Sequence, residues 1–266
     1  MVSRSLPMAF VLAIYGLVYL PIALVVLTAF NHATITTLPI TGYSLKWFEA
    51  LFTNLRTLDA LWTSVWLGAL ASSAATLLGL CAALAVMRHR FPGRRAFLAL
   101  MALPMVVPGI VLGISLLLFW RSLGLKTGFT SLFMGHTLLA LPYCTFILMA
   151  SLARFDRMLE DAARGLGAGE TAVLVRVVLP NITPGLLGAL LFGFTISIGE
   201  FVVSFFLTSA GITTLPIRIY SIVKVGITPE INAVSTIILA ATLILTLTAI
   251  RLTWSRGRNT SPGGNP

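Results

Sequence analysis

Residues 159–180 read LEDAARGLGAGETAVLVRVVLP and stand between two strongly apolar runs, LFMGHTLLALPYCTFILMASL at 132–152 and ITPGLLGALLFGFTISIGEFVVSFFL at 182–207. The chain gathers charges, small residues and glycines into this one connection. Arg154 to Leu166 lacks proline and is rich in Arg, Leu, Met and Ala, which predicts a helix. Gly165 and Gly167 suit its C-terminal turn, where a left-handed backbone costs glycine little. A second short helix is expected from Gly169-Glu170, with an acid in its first turn, Val173, Leu174, Val177 and Val178 on one face, and Pro180 as its end. Ala162, Ala163, Gly165, Gly167 and Ala168 leave the corner almost without side chains, so another protein's surface could approach the backbone closely. Acids before the corner and arginines around it add a polar rim, a composition suited to docking.

The flanking runs place this connection in a membrane protein. Of 266 residues, 58% are hydrophobic and only 10% charged, with a mean hydropathy of +0.98. That is more apolar surface than one soluble core can hide. A hydrocarbon core about 30 Å thick takes about 20 apolar residues per helix, and six runs qualify: 7–30, 61–87, 96–119, 131–152, 185–208 and 231–252. The first is too long for the apolar region of a signal peptide, and LTAFNHA after it offers no small-x-small cleavage site, so it reads as a retained membrane helix. Six spans put both termini on one side.

The net charge of +10 does not mark a nucleic-acid binder, because the basic residues gather at membrane ends rather than on one soluble face. With the N-terminus cytoplasmic, the inner segments carry twelve: Arg4, Arg88, Arg90, Arg94, Arg95, Arg154, Arg157, Arg164, Arg176, Arg251, Arg256 and Arg258. The outer segments carry six: Lys46, Arg56, Arg121, Lys126, Arg218 and Lys224. This bias puts both termini and the 153–184 loop in the cytoplasm. The four arginines of RHRFPGRR at 88–95 read as topology anchors rather than a binding site.

Other features are sparser. Cys81 and Cys144 fall inside spans and read as small apolar residues, and His32, His89 and His136 are scattered without metal-ligand spacing. The external segment 31–59 contains SLKWFEALF, an amphipathic stretch expected along the membrane surface. In the third span, Pro104, Pro108, Gly109 and Gly113 fit either a kinked packing helix or a helix bordering a substrate path. Glu200, in FTISIGEFVVSFFL, is the one acid deep within a span; it fits either a helix-to-helix hydrogen bond or a pathway lining that would favour a cationic solute. Pro108 and Gly109 join it as candidate pathway residues.

The loop also carries a recognisable spacing. Asp161-Ala162-Ala163, Gly167, Val177, Leu179 and Pro180 match E-A-A-x3-G-x9-I-x-L-P, with Glu160 one place earlier. The chain therefore resembles the transmembrane permease subunits of ABC importers, the binding-protein-dependent transport system inner-membrane components. Asp stands for the usual Glu, Val for Ile, and Gly169 for the usual Ser or Thr cap of the second helix, which should weaken that cap. The resemblance spans roughly the second to the sixth span, and TTLPIRIYSIVKVGITPEINAVSTI at 213–237 is similar to the last external loop of the spermidine/putrescine branch. Where polyamine permeases tend to show two adjacent acids in the fifth span, this chain has Gly199-Glu200.

The resemblance implies an all-α, six-span, type I importer (MetI-like) fold. It implies one transmembrane permease domain, 1–266, with helix 7–30 peripheral to core helices of about 61–252, a cytoplasmic coupling loop at 153–184 and a disordered tail at 256–266. It implies that the loop fits a groove on an ATP-hydrolysing subunit, present in two copies. A second, homologous permease and an extracytoplasmic binding protein complete the assembly in a bacterial inner membrane. The expected solute is a polyamine or related amine-bearing compound, with an opine, an aminophosphonate or an amino-acid-like solute as alternatives. No catalytic residue and no cofactor are expected in this chain, ATP and Mg being bound by the partner ATPase.

Two other classes fit less well. The chain has no Gly-Lys dipeptide, since Lys46, Lys126 and Lys224 follow Leu, Leu and Val, so it lacks the nucleotide-binding loop that needs one. A stand-alone secondary transporter would be expected to carry inverted repeats, and spans 1–3 do not mirror spans 4–6.

Overall fold

The computed structural model describes residues 5–33, 40, 42–225 and 229–258. Among the described residues there are helices and two isolated β-bridges, Asn31 with Tyr43 and Ser209 with Ile212, and no strand. The helices are α1 (Ser5–Ala29), α2 (Lys46–Thr53), α3 (Leu55–Arg88), α4 (Arg94–Val106), α5 (Gly109–Ser122), α6 (Phe129–Ala153), α7 (Met158–Gly165), α8 (Glu170–Val173), α9 (Leu179–Gly199), α10 (Val202–Leu207), α11 (Leu215–Val225) and α12 (Pro229–Arg258). A π-helical turn, Leu174–Val178, joins α8 to α9.

Contacts divide the chain into two compact units. In the first, Met1–Asp59 with Arg218–Leu243, Trp47 of α2 donates its indole N–H to the Asn31 carbonyl at 2.8 Å, and Phe48 lies 5.0 Å from the Phe30 ring. Buried Asn232 donates to the Thr28 hydroxyl at 3.0 Å, so both polar groups are satisfied in an apolar setting. In the second, Ala60–Ile217 with Ile244–Pro266, the core runs from Ala75 and Ala83 of α3 through Ala140, Cys144 and Leu148 of α6 to Val173, Val178, Ile182 and Ala189. A smaller cluster, Leu67, Leu132, Val203 and Leu207, lies where α3, α6 and α10 meet.

Four helical stretches are long and apolar enough to cross a membrane: Phe10–Ala29, Leu55–Arg88, Phe129–Ala153 and Glu170–Gly199. Counting α4 and α5 as one bent span gives five among the described residues, against the six expected. The last expected span is helical throughout as part of α12, but its apolar stretch among the described residues, Glu230–Ile244, is shorter than a span. The helix runs on through Arg258, into the expected tail, whose remainder lies outside the described residues.

Two expected spans are not continuous helices. The third breaks at Val107-Pro108, with 108° between α4 and α5. Proline pushes its predecessor to extended backbone, and Val107 sits at φ −69°, ψ 130°, followed by Pro108 at φ −54°, ψ 132°. The fifth begins upstream of its expected start, at Glu170, and breaks at Glu200, where ψ is 109°.

Candidate functional site

The corner of the loop follows from its glycines. α7 starts later than expected, at Met158, because the Asp156 side chain accepts the Met158 N–H at 2.9 Å. Its end is a Schellman turn: Ala168 N–H donates to Ala163 at 3.0 Å and Gly167 N–H to Arg164 at 2.9 Å, with Gly167 left-handed at φ +86°. α8 then starts at Glu170 with Gly169 as its cap, and no side chain caps it, as the missing Ser or Thr predicts. Val173 and Val178 are buried, with Leu174 and Val177 half-buried beside them.

Pro180 does not end this second helix. The π turn at 174–178 carries the backbone past the proline, which occupies the first turn of α9, where a missing N–H costs little. Asn181 Nδ2 donates to the Val177 carbonyl at 2.7 Å. The loop's second half therefore runs straight into the fifth span.

The two faces of the loop differ sharply. Outward, Ala162, Gly165, Gly167 and Gly169 are exposed, the three glycines facing open space, and Leu166 projects at the corner with 90% of its surface accessible. Met158, at 75%, adds a second exposed apolar side chain. Inward, Glu160 is only 4% exposed and accepts from both terminal guanidinium nitrogens, Nη1 and Nη2, of Arg88, the last residue of α3. Arg164 touches Glu160 at 3.3 Å, exposed Asp161 at 3.0 Å and Glu170 at 2.7 Å. The bond to Glu170 raises the Arg164 guanidinium further above its ordinary value. Arg88, assigned in sequence to topology alone, thus has a partner in the loop.

The other candidate residues collect at the two broken spans. Pro108 caps α5 and Gly109 opens it. A Cβ on Gly109 would make only an ordinary contact with Val202, at 3.8 Å, but one on Gly113 would meet Phe206 at 2.6 Å, so Gly113 is where α5 admits α10 closely. Glu200 lies between α9 and α10, half-buried, and its Oε1 accepts the Val203 N–H at 2.9 Å, capping α10. The structure brings Glu200, Pro108 and Gly109 to adjacent breaks. An open cleft of about 640 Å³ at the loop ends of α6 and α9 is lined by Ser151, Arg154, Phe155 and Asn181, and by none of those three.

His136, which the sequence shows only as an isolated histidine, proves to hold the break at Glu200. It is 1% exposed on α6, with Nδ1 2.7 Å from the Ser197 hydroxyl and Nε2 2.8 Å from the Ser204 hydroxyl. Ser204 Oγ donates to the Glu200 carbonyl at 2.8 Å, which uses its only proton. Ser204 therefore accepts from Nε2–H, while the Ser197 hydroxyl lies within hydrogen-bond distance of Nδ1. One histidine thereby ties together both sides of the break at Glu200. Its only trace in the sequence is a pair of serines seven residues apart around Gly199-Glu200. Among the described residues no group of three or more His, Cys, Asp or Glu side chains is placed to hold a metal.

Comparison with known proteins agrees over most of the chain. The profile of the family described as binding-protein-dependent transport system inner membrane component matches residues 75–256. The spermidine/putrescine transport system permease protein PotC of Haemophilus influenzae is 37% identical over 89% of this chain and 92% of its own length. The putrescine transport system permease protein PotI of Escherichia coli is 32% identical over 85% and 83%. A chain from a bacterial ABC transporter involved in alginate import superposes with a TM-score of 0.68 over 96% of this chain and 95% of that one, at 17% identity, which shows the shared fold. The chain accordingly belongs to the binding-protein-dependent transport system inner membrane component family, the transmembrane permease subunits of ABC importers.

Proposed function

We propose that this permease passes a polyamine or a related amine-bearing solute, handed over by an extracytoplasmic binding protein. The observation that carries the solute class is the similarity, over most of both lengths, to two permeases named for spermidine/putrescine and putrescine transport. Glu200 supports it: a carboxylate at a break in an apolar helix favours a cation nearby. In this proposal one oxygen of Glu200 caps α10 and the other meets the passing ammonium, with Pro108 and Gly109 shaping the adjacent wall.

ATP hydrolysis belongs to a separate subunit. The exposed corner around Gly167, with Glu160, Asp161, Ala162, Ala163, Val177, Leu179 and Pro180 forming or supporting it, docks that ATPase, and ATP and Mg bind there rather than on this chain. A second, homologous permease and two ATPase copies complete the transporter, and both termini face the cytoplasm. The twelve-to-six split of basic residues supports this orientation.

The test is uptake in cells deprived of their own polyamine importers and supplied with this chain, its partner permease, ATPase and binding protein. Radiolabelled spermidine or putrescine should accumulate only with the full set. No uptake of either, with uptake of an aminophosphonate or an opine instead, would replace the solute class and leave the importer assignment intact.

A further inference from the structure

We propose that Arg88 and Arg157 are positioning residues that join the cytoplasmic end of α3 to α7, so that displacement of the docked corner reaches the membrane through the second span. This rests on the proposed docking of the ATPase at the corner. In sequence the loop is tied only to the spans before and after it, α6 and α9. The structure adds a third attachment. Arg88, ending α3, grips both oxygens of buried Glu160. Arg157, just before α7, donates from Nη2 to the Met87 carbonyl at 2.6 Å, one of the end carbonyls of α3 that its own helix leaves unpaired.

The joint continues across the corner. Glu160 also meets Arg164, and Arg164 meets Glu170, the first residue of α8. Charge-assisted bonds therefore run unbroken from α3 through α7 to α8. Leu84 and Met87 of α3 pack against the same core as Ala163, Ala168 and Leu174, so the polar joint has apolar backing. The two neighbouring acids divide the work: Glu160 turns inward and is taken by Arg88, while Asp161 is exposed and bonded only at its edge by Arg164. Arginine suits such a joint because its planar fork fixes the orientation of a carboxylate as well as its distance.

The experiment uses the assembled transporter in liposomes, with spermidine as the probe, and reads ATPase retention, ATP hydrolysis and spermidine moved per ATP. Arg88→Gln should keep the ATPase bound and lower spermidine per ATP about tenfold, the scale of a typical coupling between sites. Arg88→Lys, which keeps the charge and loses the fork, should fall between the two. The double variant Arg88→Gln with Glu160→Gln leaves no unpaired buried charge, so a merely structural pair should regain its performance there. A transmission joint should stay uncoupled. Unchanged spermidine per ATP in Arg88→Gln, release of the ATPase from Arg88→Gln, or recovery in the double variant would each overturn the proposal. The docking assignment fails separately, if a Gly167→Val chain holds its ATPase normally.

Discussion

The corner at Gly167 and the break at Glu200 both interrupt helices, yet they are built in opposite ways. The corner turns on its own backbone, through a left-handed glycine and two Schellman bonds, and faces open space. The break is held from outside its own segment, by a histidine 64 positions before Glu200 in the chain that bonds a serine on each side. A locally built turn can be left bare for a partner to cover. A turn held by distant, buried side chains belongs to the fold, so substitutions in the two places should fail differently.

The largest effect is expected at the corner. Gly167→Val forces a β-branched residue to φ +86°, a strain of about 1–3 kcal/mol, and places its methyls on the proposed docking face. Because no described residue beyond its chain neighbours lies within 4 Å of the added Cβ, the protein should still insert while ATPase retention and uptake are lost. Retention and uptake at the native level would break the contrast on its outer side.

His136→Ala should do the reverse. It takes the imidazole partner from the buried Ser197 hydroxyl, at a cost of about 1–3 kcal/mol, leaves Ser204 its bond to the Glu200 carbonyl, and opens a void between α6 and the broken span. Thermal unfolding in detergent should shift to clearly lower temperature, with the loop still able to bind ATPase in whatever fraction folds. An unchanged unfolding temperature would show that the break does not depend on the imidazole.

Glu200→Gln sharpens the comparison with a smaller effect. The amide oxygen can still accept the Val203 N–H, so the cap and the unfolding temperature should survive. Loss of one charge contact, on the order of 1 kcal/mol, should lower uptake roughly fivefold. Equal uptake would leave Glu200 with its capping role alone.

The same contrast explains what the sequence made legible. Gly165, Gly167 and Gly169 announce the corner because turn chemistry is a property of neighbouring residues, and the weak cap at Gly169 could be foreseen for the same reason. Pro180 misled, since the π turn before it lets the helix pass where a regular helix would end. Pro108 and Gly109 signalled a disturbed third span, but the close approach of Phe206 in α10 to Gly113 of α5 was not legible from them. Glu200 was read as an acid within a continuous helix because the side chain that bonds both sides of the break, His136, lies on another span. Arg88 was half legible: its place at a membrane end was plain, but its partner Glu160 lies 72 positions away.

Leu166 offers the most direct test of the central claim that this bare corner is where an ATPase docks. It is the most exposed apolar side chain of the loop and lies beside Gly167, so a photo-crosslinking residue in its place would report what covers the corner in native membranes. The account predicts one dominant adduct with the ATP-hydrolysing subunit, lost when Gly167→Val is added. Adducts with an extracytoplasmic protein, or none with the ATPase in a transporter that is actively importing, would contradict it.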